Sequence, residues 1–334
     1  MGGDNSPELL FEAVLLAVEQ YPPTHTFILL ATQQVVDNLH VQFIACLAVK
    51  STARIEFHTV DDVITMSDEP LSAVRVKKSA SVNVGMRMLK KHHLDAFISS
   101  GNTGAIIAAA TLLLPMLPGI TRPALLATLP TKKKPIAIID IGGNLYCKAN
   151  NLVQFAQMAA VYQRCRDGVL CPKIGLLNIG VESKKGTKEL RQAYQLLQEL
   201  SMRKVGQEGF SMKFIGNIEA REIFDGKVDV LVTDGFTGNI LLKTTEGAAA
   251  FIIDQLETSV KNRSSKIFVN GEKEKLLKKF DYSEYPGAIL CGVDGLVIKC
   301  HGNATPRALY HSIIGAIGLV ERGLVKKIKA SLIS

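Results

Sequence analysis

Short apolar runs alternate with helical patterns along most of the chain, and each run ends in a loop rich in Gly, Asn, Asp or Ser. Because these runs are continuous rather than alternating, they predict strands that are buried on both faces. Their alternation with helices predicts an α/β fold with a three-layer, mainly parallel, doubly wound sheet. The predicted strands are Phe27–Ala31, Ile55–Thr59, Ala96–Ser99, Ala124–Leu129, Ile136–Ile141, Ile174–Ile179, Met212–Ile215, Val228–Thr233 and Val297–Cys300.

The chain opens on a glycine-containing loop that runs into a helix, with no strand before it. Ser6 is a suitable helix cap and Pro7 suits the first helical position. Gly2 and Gly3 allow backbone amides to approach a ligand closely. Together with the helix dipole, these amides predict an anion-binding edge at the start of the chain.

Residues 239–285 interrupt the pattern with two helical stretches and no strand between them, which predicts a protruding helical hairpin. Ala248, Ile252, Leu256 and Val260 form one apolar stripe. Seven basic residues follow the stripe. They are Lys261, Arg263, Lys266, Lys273, Lys275, Lys278 and Lys279. This segment suits packing against the rest of the protein or a second subunit, and also suits an anionic membrane surface. No linker is visible, so residues 1–334 are predicted to form a single α/β domain.

Composition narrows the classes of function. The 334 residues are 47% hydrophobic, which is typical of a globular protein. There is no Trp and aromatic residues make up only 6%, so nucleic acid is a disfavoured partner. The net charge of +8 suits an acidic partner, a phosphorylated substrate or an anionic membrane, and equally suits solubility alone. Six cysteines without a C-x-x-C pair and the lack of a signal sequence predict free thiols and a cytoplasmic location.

Six polar loops follow predicted strands. They are Ser99–Gly104, Asp140–Asn144, Asn178–Gly180, Gly216–Glu219, Asp234–Asn239 and His301–Asn303. Ligands of open parallel sheets bind beyond the carboxyl ends of the strands, so we expect these loops to share one rim. Each loop alone has the composition of an ordinary turn, and the repetition is the stronger signal.

Ser99–Gly104 is the most specific of these loops. A buried strand turns through glycine into an apolar helix that Asn102 or Thr103 can cap. The amides of the first helical turn are suited to a phosphate, although an ordinary turn and cap would give the same sequence. His301 also follows a strand, where it could act as an acid, a base or an oxyanion donor, or serve only as a hydrogen-bonded structural residue.

Several signatures are absent from the sequence. Neither G-x-x-x-x-G-K-[ST] nor G-x-G-x-x-G occurs, so nucleoside triphosphate and dinucleotide sites are not indicated. No G-x-S-x-G elbow and no metal-ligand spacing occurs either. We therefore expect neither a cofactor nor a metal.

The loops resemble those of the phosphate acyltransferases, the acyl-carrier-protein:phosphate transacylases of bacterial phospholipid synthesis. The resemblance covers nearly the whole chain and includes the stretches Met1–Asn5, Asp68–Pro70, Lys77–Lys78, Gly101–Ala105, Arg122–Ala124, Asn144, Cys147–Lys148, Leu152–Ala156, Asn178–Gly180, Asn217–Glu219, Asp234–Phe236, Asp281–Tyr285, Val297–Lys299 and His301–Gly302. Departures occur at Gly143, Tyr146, Ala220 and residues 303–305. The family's first strand would lie upstream of Met1, which suggests that the start was assigned at an internal methionine.

The resemblance implies a sheet of the isocitrate/isopropylmalate dehydrogenase type and a reaction without a protein nucleophile. Inorganic phosphate, with a second pKa of about 7, would attack the thioester of an acylated carrier protein itself. The implied phosphate cradle consists of Ser99, Gly101, Asn102, Thr103 and Gly104, with Lys148 as counter-charge and Asp4 and Asn5 at its edge. The residues implied in orientation or oxyanion contact are Asn144, Asn178, Asp234, Asn239 and His301.

The resemblance also implies an acidic acyl carrier protein as partner, a homodimer, and a peripheral seat on the inner face of the cell membrane. Contact there would be with anionic lipid or with the downstream glycerol-3-phosphate acyltransferase. Three other interpretations stay open: a CoA-dependent phosphate acetyl- or butyryl-type transacylase, a decarboxylating dehydrogenase, and a non-catalytic membrane scaffold that binds acyl carrier protein.

Overall fold

A computed structural model describes residues 1–21, 24–46, 55–202, 211–258 and 287–333. The chain divides into two compact units. Unit 1 contains the described residues of Met1–Leu117 and Tyr285–Val325, and unit 2 contains those of Pro118–Glu284 and Lys326–Ser334. Whether the two units form the single domain that the sequence predicts stays a prediction.

Helices and strands alternate in both units, as the apolar runs predict. The helices are α1 Pro7–Gln20, α2 Gln33–Cys46, α3 Pro70–Val76, α4 Ser81–Lys90, α5 Thr103–Leu113, α6 Ala149–Asp167, α7 Lys188–Met202, α8 Gly235–Thr258, α9 Pro306–Glu321 and α10 Leu324–Ile333, with a short 3-10 helix at Ala220–Asp225. The strands are β1 Phe27–Ala31, β2 Ile55–Thr59, β3 Ala96–Ser99, β4 Ala124–Leu129, β5 Ile136–Ile139, β6 Lys173–Leu177, β7 Lys213–Ile218, β8 Val230–Val232, β9 Ala288–Cys291 and β10 Leu296–Lys299.

Unit 1 contains two groups of strands. β1 pairs with β2 in parallel, and β10 lies between β3, to which it is parallel, and β9, to which it is antiparallel. Helix α1 begins as the sequence predicts, because the Ser6 side chain accepts a hydrogen bond from the Leu9 amide and Pro7 occupies the first turn. Its inner face buries Phe11, Ala13 and Val14 in a core that it shares with residues of α2, β2 and α9.

Unit 2 is built around four parallel strands in the order β5, β8, β6 and β7, with β4 antiparallel to β5. All four residues of β5 and all three of β8 are buried. The fully buried α6 residues Phe155 and Tyr162 belong to the same core. The fold is therefore α/β with mainly parallel strands, as predicted, and the more specific dehydrogenase-type topology stays a prediction.

The structure differs from the sequence prediction at one strand and at several strand ends. β9 was not predicted, and its antiparallel pairing with β10 brings its four residues into unit 1. β5 ends two residues before the predicted Ile141, because Asp140 begins the turn that follows it.

The predicted hairpin is described only in part. Its first half is the long helix α8. The side chain of the stripe residue Leu256 lies outside the described part of the chain, as do Val260 and all seven basic residues that follow it.

Among the described residues, no single helix is both long enough and apolar enough to span a membrane. The consecutive helices α9 and α10 meet these two criteria only when they are taken together, and the chain bends by 52° between them.

The loop between β2 and α3 is fixed by an ion pair. The Lys77 ammonium donates to the Asp68 carboxylate at 2.8 Å and to the Val63 carbonyl at 2.9 Å. The Thr65 amide donates to the same carboxylate at 2.7 Å. The Lys77 hydrogen bond, aided by Thr65, lowers the pKa of Asp68 to about 2. Because the ionised form is favoured in the folded state, this contribution to stability is complete above about pH 4 and is lost as the pH falls through about 2.

Replacing Asp68 by Asn should therefore make the free energy of unfolding less dependent on pH under acidic conditions. The wild-type protein is expected to lose more unfolding free energy than Asp68→Asn between about pH 4 and pH 2. Urea unfolding at each pH measures this difference. Asp61→Asn, at an exposed carboxylate in the same loop, is the matched control and should follow the wild-type slope. Parallel profiles for wild type and Asp68→Asn would contradict the assignment.

Candidate active site

Three segments of unit 1 meet at the carboxyl ends of β3 and β10. Ser99 and Lys299 are paired at the ends of these two parallel strands, so the loops that follow leave the sheet side by side. The N-terminal segment joins them. The Asp4 amide donates to the Gly302 carbonyl at 2.9 Å, and the Asn5 side-chain amide donates to the Ala304 carbonyl at 2.9 Å. We call residues 1–5, 99–104 and 301–304 the unit 1 rim.

Glycines in the unit 1 rim permit this close packing. A Cβ on Gly3 would lie 2.9 Å from the Ser100 hydroxyl, and one on Gly302 would lie 2.7 Å from the Asp4 carboxylate. A Cβ on Gly104 would lie 2.6 Å from a ring carbon of Pro70. The glycines predicted to allow ligand approach are thus also required for the approach of neighbouring backbone.

Asn102 is buried, and its side chain is occupied by the protein itself. Its Oδ1 accepts from the Ala105 amide at 3.1 Å and caps α5, as the sequence predicts. Its Nδ2 faces the carbonyls of Thr65, Met66 and Asp68 at 3.2, 3.4 and 3.2 Å. Asn102 therefore ties the loop that Asp68 and Lys77 hold to the start of α5.

The start of α5 offers anion donors other than the Asn102 side chain. Thr103 and Gly104 are its first two residues, and amides at a helix start have no intrahelical acceptor. The positive end of the helix dipole lies at the same place. Ser99 stands beside them, where its hydroxyl accepts a hydrogen bond from the Gly101 amide at 3.1 Å. These groups can bind a phosphate oxygen.

Lys299 was not among the predicted site residues. It lies at the end of β10 in register with Ser99, is 8% exposed, and its ammonium donates to the Cys300 carbonyl. The sequence did contain a signal for Lys299, since it is a lysine at the end of an otherwise apolar strand. Charged side chains are rarely buried without a partner, so a lysine in this position indicates a specific role. Lys299 places a buried positive charge two residues before His301, which is itself partly exposed.

The unit 2 rim, which we define as the loops after β5, β6, β7 and β8, lies at the shared carboxyl edge of these parallel strands. Asp140, fully buried, organises it. One of its carboxylate oxygens accepts from the amides of Leu125, Gly142 and Gly143 at 3.0, 3.2 and 2.9 Å, and the other accepts from Asn144 at 2.8 Å. Burial raises the pKa of Asp140, while these four donors act in the opposite direction.

Asn144 links the Asp140 turn to α8. Besides Asp140, its Nδ2 contacts the Pro123 carbonyl at 2.7 Å, and its own carbonyl accepts from the Gly235 amide at 2.8 Å. Gly238 allows the first turn of α8 to approach the Asp140 carbonyl. Asn144 is buried, so its amide group serves mainly to hold this turn.

Asp234 and Asn239 lie at the beginning of α8. The Asp234 carboxylate accepts from the Thr237 amide at 2.8 Å and from its hydroxyl at 2.9 Å, which is the geometry of a helix cap. Asn239 is exposed and lies beside Gly142, since a Cβ on that glycine would be 3.7 Å from the Asn239 side chain. The structure thus brings Asp140, Asn144, Asp234 and Asn239 together.

Asn178 and Lys148 complete the predicted set in unit 2. Asn178 is buried. Its Oδ1 accepts from the Ile179 amide at 2.8 Å, and its Nδ2 donates to the Lys185 carbonyl at 3.1 Å, so it closes the loop after β6. Lys148 precedes α6 and its side chain is exposed. Because Lys148 and the Ser99–Gly104 loop belong to different units, their pairing stays a prediction.

The thiols near both rims are poor nucleophiles. Burial, reinforced by the carboxylates of Asp140 and Asp234, raises the pKa of Cys147 to about 12. Burial alone raises the pKa of Cys300 to about 11. The thiolate is the reactive form of cysteine, so both groups are protonated and inert near neutral pH.

Comparison with known proteins places the chain in a family. Residues 1–327 match the family model described as fatty acid synthesis protein. The chain is 38% identical to a phosphate acyltransferase from Chlamydia pneumoniae over 100% of this chain and 97% of that protein. It is also 38% identical to a phosphate acyltransferase from Bacillus licheniformis, over 99% of this chain and 96% of that protein.

Solved structures with the same fold carry related names. A phosphotransacetylase from Streptococcus pyogenes aligns with a TM-score of 0.60 at 16% identity, over 95% of this chain and 92% of that one. A branched-chain phosphotransacylase from Enterococcus faecalis aligns with a TM-score of 0.57 at 14% identity, over 96% and 97%. At these identities the likeness establishes the fold, whereas the sequence matches establish the family. The chain therefore belongs to the fatty acid synthesis protein family that includes the phosphate acyltransferases, and it is an acyltransferase enzyme.

Proposed function

We propose that this enzyme transfers a fatty acyl group reversibly between the thioester of an acyl carrier protein and inorganic phosphate, giving acyl phosphate for glycerophospholipid synthesis. The observation that carries the proposal is the start of α5. The free amides of Thr103 and Gly104 lie there at the positive end of the helix, and the Ser99 hydroxyl lies in the loop that leads into it. Family membership supports the acyl transfer, and the printed names of its relatives support phosphate as acceptor.

The chemical step needs no protein nucleophile. A phosphate oxygen forms a bond to the thioester carbonyl carbon, and the carbonyl oxygen becomes an oxyanion. The carbon–sulfur bond then breaks, and the departing thiolate takes up a proton. The protonated state of Cys147 and Cys300 supports this direct attack, since neither thiol competes with phosphate. The protein contributes anion binding, oxyanion donors and the orientation of the two reactants.

Exposed lysines of unit 2 suit an acidic carrier protein. Lys184, Lys185 and Lys188 lie in or beside the loop that follows β6, next to Asn178. Basic surface beside an active-site rim accelerates the encounter with an acidic partner. A CoA thioester offers a much smaller acidic surface, which favours the carrier protein as acyl donor.

Helix α8 is the proposed contact with a second copy of the chain and with the membrane. Phe236, Ile240 and Phe251 are 58%, 49% and 63% exposed and lie within about 60° of one another around the helix. Ile252, 55% exposed, follows Phe251 in the chain and lies about 100° away from it around the helix. An apolar helix face of this kind is normally covered. We propose a homodimer through this face, with peripheral attachment to the inner face of the cytoplasmic membrane by anionic lipid or the downstream glycerol-3-phosphate acyltransferase.

The acyl donor distinguishes the proposal from its alternatives. With phosphate present, the enzyme should convert an acyl carrier protein thioester with a kcat/KM at least about tenfold higher than the CoA thioester of the same chain. Raising the salt concentration should reduce this preference, because steering by charge is screened. Acyl phosphate, trapped with hydroxylamine, measures turnover. Preference for CoA would support the CoA-dependent alternative, and turnover of neither donor would support the non-catalytic scaffold.

Thr103 offers the cleanest test of the phosphate cradle. Removal of the Asn102 side chain would also remove a helix cap and a loop contact, so its effect would mix folding with binding. Thr103→Val removes only a hydroxyl from the first position of α5 and should raise the KM for phosphate by about 10-fold, as expected for a hydrogen bond to an anion. Thr111→Val makes the same change near the other end of α5 and should leave this KM unchanged. Equal phosphate KM values for both variants would exclude the Thr103 hydroxyl from the cradle.

Charge on the exposed face of α8 should disrupt its contacts. The double variant Phe251→Glu with Ile252→Glu is expected to halve the mass measured by light scattering, or to abolish cosedimentation with anionic vesicles. Leu170→Glu, at a loop residue of the same unit that is 76% exposed, should change neither. If the double variant retains both the wild-type mass and vesicle binding, α8 is not the contact surface.

A further inference from the structure

Lys299 lies on the face of the unit 1 sheet that α4 covers. Its register partner in β3 is Ser99, and paired residues of parallel strands point to the same face. Phe97, two residues before Ser99, faces α4, because a Cβ on Gly85 of that helix would meet the Phe97 ring. Side chains alternate along a strand, so Ser99 and Lys299 share this face with Phe97.

Helix α5 runs antiparallel to β10 on the same face. Its end lies near the beginning of the strand, because a Cβ on Gly295 would be 3.4 Å from Leu114, the residue after α5, and 2.8 Å from Leu89 of α4. From there α5 extends about 16 Å over its 11 residues back to Thr103. The chain rises about 13 Å from Gly295 to Lys299. Lys299 is therefore level with the start of α5, on the face that α5 covers.

The hydrogen-bond ladder between β3 and β10 ends with two side chains in place of one backbone bond. The Cys300 amide donates to the Ser99 carbonyl at 2.8 Å, and the next bond of a parallel ladder would join the Gly101 amide to the Cys300 carbonyl. Instead, the Gly101 amide donates to the Ser99 hydroxyl at 3.1 Å, and the Cys300 carbonyl accepts from the Lys299 ammonium. Both side chains thus occupy the point where the strands separate, below the loop that leads into α5.

We propose that Lys299 is a catalytic residue whose ammonium binds an oxygen of the attacking phosphate, beside the Ser99 hydroxyl and the first amides of α5. This inference rests on the proposed function. An ammonium has three N–H donors that point in different directions, so it can serve a backbone carbonyl and a phosphate oxygen together. Because Lys299 is only 8% exposed, its charge is less screened by water and attracts a phosphate dianion more strongly than an exposed lysine would.

Lys299 thereby takes the role of counter-charge that the family resemblance implies for Lys148. Lys148 is exposed and belongs to unit 2, whereas Lys299 belongs to the same unit as α5 and is fixed by its register with Ser99. The two lysines give different expectations for mutagenesis, since only one of them would set the affinity of the enzyme for phosphate.

Variants of the whole chain separate the charge of Lys299 from its hydrogen bond to Cys300. Lys299→Gln keeps an N–H donor without the charge, and Lys299→Arg keeps both. Lys299→Gln should raise the KM for phosphate by about tenfold or more, as expected for a hydrogen bond to a charged group. The KM for the acyl carrier protein thioester should change by less than about twofold, because this substrate does not contact Lys299. Lys299→Arg should restore most of the affinity for phosphate.

Lys173→Gln is the matched control, at an exposed lysine that begins β6 in unit 2. It should leave both KM values unchanged. A purely structural Lys299 predicts a lower melting temperature for Lys299→Gln with the wild-type KM for phosphate, and that result would overturn the inference. A rise in the phosphate KM of Lys148→Gln, with none in Lys299→Gln, would also overturn it and assign the counter-charge to Lys148.

Phosphate binding to the wild-type chain provides a test that does not depend on the folding of Lys299→Gln. The lysine side-chain nitrogens are isotopically labelled, and the Lys299 ammonium resonance is identified by its loss in Lys299→Arg. This resonance should shift saturably with phosphate and not with chloride at the same ionic strength. Formation of acyl phosphate without any such shift would overturn the role of Lys299. A saturable shift without formation of acyl phosphate would support the Lys299 contact and contradict only the proposed function.

Discussion

Parallel strand pairing is the constraint on which the arrangement of the candidate site depends. Parallel neighbours end at the same edge, so each unit collects its polar loops there without any contact between the loops being required. In unit 1 this edge joins the loops after β3 and β10, and the N-terminal segment is hydrogen-bonded to them. In unit 2 it joins the loops after β5, β8, β6 and β7.

The polar side chains at these edges divide into two groups with different tasks. Asn102, Asn144 and Asn178 are buried and use their amide groups to hold backbone of their own unit. Under the proposed function, ligand binding in each unit would fall to main-chain amides and to more exposed side chains, such as Thr103 and His301 in unit 1 and Asn239 in unit 2. Each rim is preorganised, because its loops are held by these buried side chains.

Local features could be read from the sequence, whereas distant contacts could not. The Ser6 and Asn102 caps were predictable because a cap and its helix are adjacent along the chain. β9 was missed because four residues between glycine-rich turns carry little periodicity, and its pairing with β10 decides its conformation. The structural roles of Asn102 and Asn144 depend on carbonyls more than 20 residues away, at Thr65 and Pro123. The residue types at the rim were predictable, and the division of labour among them was not.

The central claim of the account is that phosphate, rather than a protein side chain, attacks the thioester. The most direct test is exchange of isotopically labelled acyl carrier protein into unlabelled acyl carrier protein thioester, measured with and without phosphate. Direct attack predicts that exchange requires phosphate, because the carrier thiol is released only when acyl phosphate forms. Rapid exchange in the complete absence of phosphate would reveal an acylated enzyme and contradict the account.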